Sequence, residues 1–139
     1  MDKKQRVLFL SVRNSVRGQI AEGFLRAMAG DRYIATSGGI DTDEQIDPIA
    51  AEVMAEVGID ISKQKPKNVR EWFKEHFSCV VTLTDAAKER APVFPFTPHL
   101  LHWSLKDPTL ATGTSEERKE AFRRVRDELR TKITEFVQA

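Results

Sequence analysis

The amino-acid sequence predicts an α/β fold, a parallel sheet of four strands with helices on both faces, and three observations carry that expectation. Short, continuously apolar runs recur along the chain, the form a strand takes when both of its faces are buried. Stretches with apolar residues at helical spacing separate these runs. Gly-Gly, Asp-Pro and single glycines fall at the joins. Strands that alternate with helices pair in parallel, because each helix carries the chain back across the sheet.

Each element follows in order. Residues 6–12 form the first strand, with Val7, Leu8, Phe9 and Leu10 unbroken. A helix starts at once: Ile20, Ala21, Phe24, Leu25 and Met28 share one face, and Gly30 closes it. Residues 33–37 make the second strand, ended by Gly38-Gly39. Asp47-Pro48 opens a second helix, the aspartate as cap and the proline at the first helical position. Its apolar face holds Ile49, Val53, Met54 and Val57, and Gly58 terminates it. Residues 62–68 read as a polar loop with three lysines and Pro66, and residues 69–76 as a short helix carrying Trp72 and Phe73. Residues 79–83 are the third strand, and 85–90 one or two helical turns. Pro92, Pro95 and Pro98 mark an irregular crossing before the fourth strand at 99–103. Ser115 opens the last helix with Glu116 and Glu117 in its first turn, which suits the helix dipole. Phe122, Val125, Leu129, Ile133 and Phe136 form its apolar stripe.

The 139 residues suit one domain, residues 1–139. A hydrophobic fraction of 40% supports a core, and a net charge of +1 provides no general field toward nucleic acid or a membrane, so any anion selectivity must be local. No apolar run has the length of a membrane span. The charged start is followed by too short an apolar stretch for a signal peptide, and a cytoplasmic location is expected. The single cysteine, Cys79, excludes an internal disulfide and a cysteine-rich metal site, and no cofactor is expected.

In sheets of this type ligands bind beyond the carboxyl ends of the strands. The turn after the first strand reads Ser11-Val12-Arg13-Asn14-Ser15-Val16-Arg17-Gly18-Gln19. It joins a buried strand to a helix N-terminus, where unpaired amides and the positive dipole end favour an anion. Asn14 tolerates a left-handed backbone, which helps fold the amides into a concave nest. Arg17 can grip two oxygens of a tetrahedral anion with its planar fork. Ser11 and Ser15 add hydroxyls, and Arg13, Val16 and Gly18 complete the candidate oxyanion loop. The nucleotide-binding pattern G-x-x-x-x-G-K-[ST] is absent.

These residues resemble the low-molecular-weight protein tyrosine phosphatase superfamily, most closely its thioredoxin-coupled arsenate reductase branch, over nearly the whole chain. The family loop is Cys-x-x-Asn-Ser-Cys-Arg-Ser-Gln, and here it is followed by Ala21-Glu22-Gly23-Phe24. Ser37-Gly38-Gly39, Gly58-Ile59-Asp60-Ile61-Ser62, Val81-Thr82-Leu83-Thr84, His102-Trp103 and Asp107-Pro108 match further family motifs in the same order. The resemblance implies phosphate, arsenate or a phosphorylated protein as partner. It also puts Ser11 at the nucleophile position, Arg17 at the anion-gripping position and Asp107 at the general-acid position. In the reductase branch Asn14, Glu22 and Ser37 match ligands of a monovalent-cation site. The remaining acidic position is Lys67, whose ammonium is expected to stand in the cation's place and brace Glu22.

The departures fall on the chemistry. Family cysteine positions are occupied by Ser11, Val16, Thr84 and Ala91, so a disulfide relay is excluded. A serine is a far weaker acid than a loop thiol and needs an adjacent base. No histidine is near Ser11 in sequence, and the approach of His76, His99 or His102 in space is left open. His102 and Trp103 are expected to pack at a strand end, Cys79 to be an inert core thiol. The reading is an oxyanion-binding pseudoenzyme. An enzyme working by an altered route, a purely structural domain and a variant stripped of its cysteines by engineering stay open at this stage.

Overall fold

The structure, a computed structural model, describes residues 4–92, 94 and 97–139. The expectation at Pro95 and the first three residues of the charged start lie outside them.

Four parallel strands are arranged in the order β2-β1-β3-β4. They are β1 (Gln5–Ser11), β2 (Tyr33–Gly39), β3 (Cys79–Thr82) and β4 (His99–His102). The helices are α1 (Arg17–Ala29), α2 (Pro48–Ala55), α3 (Asp85–Arg90) and α4 (Ser115–Gln138), with short 3-10 turns at Val69–Trp72 and Pro108–Leu110. The central strand β1 explains its own unbroken apolar run. Val7 and Phe9 enter the core beneath α1, α2 and α4, while Leu8 and Leu10 enter a second core on the other face. The first core packs Phe24 and Leu25 of α1 against Val53 and Met54 of α2 and Leu129 and Ile133 of α4. The second, smaller core is closed by Val69, Phe77 and Ala87. Phe9 is wholly buried, and truncating such a residue to alanine costs about 3–5 kcal/mol.

Two elements differ from the sequence expectation. The helix expected over 69–76 is a 3-10 turn of four residues, Val69–Trp72. Its bonds run three residues apart, Glu71 N to Asn68 O and Phe73 N to Arg70 O. That spacing places residues i and i+3 on one side. Val69 and Trp72 thus both reach the second core, and the Trp72 indole N–H donates to Ser37 O at 2.9 Å. The second helix ends at Ala55, and the chain turns through Gly58, whose φ is 80°.

Among the described residues no helix is long and apolar enough to cross a membrane.

Candidate functional site

The chain leaves β1 at the centre of the sheet, between β2 and β3, and enters α1 through residues 12–16. Ser11 pairs in register with Gly39, and the loop crosses directly over that glycine. A Cβ on Gly39 would lie 2.8 Å from Val12 O and 3.0 Å from Asn14 Cβ, so the passage requires glycine. Asn14 takes the left-handed backbone that its residue type tolerates, φ 59°.

Every carbonyl from Ser11 through Val16 is engaged from outside the loop. Ile40 N donates to Ser11 O (3.1 Å), Asp41 N to Val12 O (2.8 Å), Asp43 N to Arg13 O (3.0 Å) and Asp47 N to Ser15 O (3.0 Å). Gln19 Nε2 donates to Asn14 O at 2.9 Å, and Ile20 N to Val16 O at 2.9 Å. In a planar trans peptide the N–H points opposite to its C=O. The amides of residues 12–17 are therefore turned the other way, toward the hollow of the loop. The Asn14 N–H shows the direction, since it donates to the Ser11 Oγ at 3.2 Å. No side chain caps α1, whereas Asp47, Thr84 and Thr114 cap α2, α3 and α4. Unpaired donors at the positive end of a helix attract an anion.

The hollow is a cavity of about 280 Å³. Of the residues expected from sequence, Ser11, Arg13, Asn14, Ser15, Val16, Arg17 and Asp107 line it. Gly18 lies behind the wall, where a Cβ would collide with Asn14 Oδ1 and lie 3.1 Å from Ser11 Oγ. Arg17 Nη1 donates to Leu105 O at 3.1 Å, and Nη2 is 3.9 Å from Asp107 Oδ2. Burial lowers the pKa of Arg17 from its ordinary value, and Asp107 opposes that shift. Arginine nonetheless keeps its charge in proteins. Asp107 also shapes the backbone beside the cavity. Its Oδ1 accepts from Thr109 N (2.9 Å) and Thr109 Oγ (2.6 Å), which fixes the Pro108–Leu110 turn.

Asp43, Asp47 and Thr109 complete the wall. From sequence Asp47 is expected only as a helix cap, and Asp43 and Thr109 are not expected at the site. Asp43 accepts from Ser15 Oγ at 2.8 Å and from Arg13 Nη1 at 3.2 Å. Its place depends on the 40–47 segment wrapping the loop, which no local pattern announces.

No histidine lines the cavity among the described residues. The ring of His102 lies between Thr82 Oγ1, 2.7 Å from Nδ1, and Asp85 Oδ1, 2.9 Å from Nε2. Trp103 packs against Phe9 and Phe136, with ring centres 6.1 and 6.3 Å away.

The expected lysine brace is corrected. Lys67 Nζ sits 5.6 Å over the Trp72 ring, and its backbone carbonyl, rather than its ammonium, faces Asn14 Nδ2 at 3.5 Å. The buried Glu22 is instead held by Arg26 Nη2 at 2.6 Å on one oxygen and by Ser37 Oγ at 2.8 Å on the other. Both carboxylate oxygens are engaged and the charge is balanced, so these residues do not fit a monovalent cation at Glu22. Asn14 Oδ1 is buried without a hydrogen-bond partner, but it fills the space that Gly18 leaves open. Arg26 Nη1 also donates to Gln64 Oε1 at 2.7 Å, and Gln64 Nε2 to Gln19 Oε1 at 2.8 Å. Since Gln19 holds Asn14 O, a chain of hydrogen bonds runs from Arg26 to the loop.

The remaining positions matched to family cysteines serve the fold. Val16 is buried in the first core, Thr84 Oγ accepts from Ala87 N at 2.9 Å, and Ala91 packs against the second core. Cys79 is buried, and burial pushes its thiol up to about 11.

Fold and loop together define an α/β protein with an anion-type loop after its first strand. Residues 6–139 match the low molecular weight phosphotyrosine protein phosphatase family, and the chain belongs to it. An arsenate reductase of Halalkalibacterium halodurans is 38% identical over 138 residues, covering 99% of this chain and 98% of that protein. An arsenate reductase of Bacillus subtilis is 38% identical over 134 residues, 95% of this chain and 94% of the relative. A solved arsenate reductase in the phosphate-binding state superposes with a TM-score of 0.82 at 28% identity, over 96% of this chain and 97% of the other. The chain thus stands in the arsenate reductase branch of the family.

Proposed function

We propose that this protein holds phosphate or arsenate in the loop after β1 without turning it over. The observation that carries the reading is the orientation of the loop: carbonyls from Ser11 to Val16 are engaged outside, and the amides face a cavity that also holds Arg17. The likeness to an arsenate reductase in a phosphate-binding state supports an oxyanion as occupant. Absence of turnover is inferred from the groups at the bottom of the cavity. Ser11 Oγ accepts from a loop amide, and no histidine among the lining residues stands ready to take its proton. One cysteine in the whole chain cannot form an internal disulfide. Action in the cytoplasm is part of the same proposal.

Calorimetric titration with phosphate and arsenate, beside an aryl phosphate turnover assay on the same sample, tests the reading. Binding without phosphate release above a protein-free control is expected. Turnover above that control would overturn the inactive reading and mean that Ser11 is activated. Absence of binding would leave only a structural role for the fold.

A further inference from the structure

The cavity wall carries more negative than positive side chains: Asp43, Asp47 and Asp107 against Arg13 and Arg17. For a site built of inward amides this is unusual chemistry, because a carboxylate repels a fully deprotonated anion. The three acids are not equivalent. Asp47 Oδ1 accepts from Ile49 N at 2.8 Å as the cap of α2. Asp107 is fastened to Thr109 and faces Arg17. Asp43 alone is bonded to the loop's own side chains. Ser15 Oγ donates to its Oδ2 and Arg13 Nη1 to its Oδ1, while its N–H donates to Arg13 O. Backbone and side chain thus hold the carboxylate against the rim. The Ser15 hydroxyl, which could have donated to a bound anion, donates to Asp43 instead.

We propose that Asp43 makes this cavity selective for free oxyanions that still carry a proton at neutral pH, inorganic phosphate and arsenate, over sulfate and over phosphomonoesters. This rests on the oxyanion reading above. A ligand with a P–OH or As–OH group can turn that hydroxyl toward the fixed carboxylate and donate a hydrogen bond. Sulfate has no proton to donate at neutral pH and meets a carboxylate that can only accept. A phosphomonoester loses its second proton near pH 6 and meets the same acceptor. A fixed acceptor that only the right ligand satisfies is a stronger filter than added contact area. The inference narrows the occupant to the free inorganic anion, leaving a phosphorylated protein disfavoured.

The test is calorimetric titration of the full chain with phosphate, arsenate, sulfate and phenyl phosphate at pH 7, on the native protein and on Asp43→Asn. The native protein should bind phosphate and arsenate at least about tenfold tighter than sulfate or phenyl phosphate. Asp43→Asn should bring the four anions within about threefold of one another, chiefly through gained sulfate affinity, since an amide donates where the carboxylate could only accept. Repeating the native titrations from pH 6 to 8 gives a second readout that needs no variant. Phenyl phosphate affinity should fall as its last proton is lost near pH 6, whereas inorganic phosphate keeps a P–OH group over the whole range and should keep its advantage over sulfate. Arg13, Arg17, Asp47 and Asp107 face the same cavity, and sulfate, which has no proton to lose, controls for their contribution. Equal native affinity for sulfate and phosphate, or an unchanged ratio in a folded Asp43→Asn protein, overturns the role of Asp43 and leaves oxyanion binding intact. Failure of all four anions to bind the native protein overturns both.

Discussion

The N-termini of α1 and α3 make an instructive pair. Both helices follow a buried strand of the same sheet, and both begin at positions matched to family cysteines. At α3 the local groups are used within the fold. Thr84 caps the helix, Ala87 is buried beneath it, and Asp85 takes His102 and Ser104. At α1 the opposite holds. No side chain caps the helix, and the loop before it has its carbonyls engaged and its amides turned inward. A site is legible here as hydrogen-bonding capacity left open, in a fold that elsewhere closes it.

The largest expected effect falls on the open side. Arg17→Ala should reduce phosphate affinity by about 100-fold or more, on the order of 3 kcal/mol, because it removes the charged fork facing the cavity. Circular dichroism and calorimetry on the same sample check it; unchanged affinity would sink the α1 end as an anion site. Ser11→Cys sharpens the contrast with chemistry. Inward amides lower the pKa of a thiol, so aryl phosphate turnover should appear above background. The native Cys79 is the counter-case. With its thiol pushed up to about 11, it should resist alkylation at pH 8 in the folded protein and react once denatured.

The α/β order was legible because β1 and β3 carry apolar runs buried on both faces and the main helices start or stop at residues with a specific backbone preference. The anion loop was legible from its position after β1 and from Asn14 and Arg17. Asp43 was not, since its carboxylate reaches the loop only through the 40–47 segment that follows β2. Arg26 was hidden differently. Glu22 and Arg26 are four apart on one helix, a visible ion-pair spacing. The family match at Lys67 points to a different partner for Glu22 than the one four residues along its own helix. A long-range match lost to a neighbour on the same turn.

Arg26→Ala tests how far the open site depends on its support. The change leaves the buried Glu22 with Ser37 alone and breaks the link through Gln64 and Gln19 to Asn14 O. A lost hydrogen bond to a charged group costs about 2 kcal/mol. A fall in thermal midpoint and a several-fold weaker phosphate affinity are expected. Potassium should restore part of both in the variant, where Glu22 lacks its counter-charge, and change neither in the native protein. Full affinity in the variant would show that the loop is held without Arg26, by its 40–47 contacts and by Gln19, which Lys65 O also engages.

The smallest effect should come from Thr84→Ala, and its value lies in what it leaves unchanged. Removing the hydroxyl takes the acceptor from Ala87 N and uncaps α3, at a cost of about 1 kcal/mol. Thr84 does not line the cavity, and α3 packs on the second core, across the sheet from α1. Phosphate affinity should therefore stay within about twofold of native while denaturant stability falls, since well-separated sites act independently. A loss of affinity comparable to that of Arg26→Ala would break the comparison. It would mean that the end of β3 still communicates with the loop after β1, through the bond from Leu83 N to Leu10 O that ties the two strands together just before both helices begin.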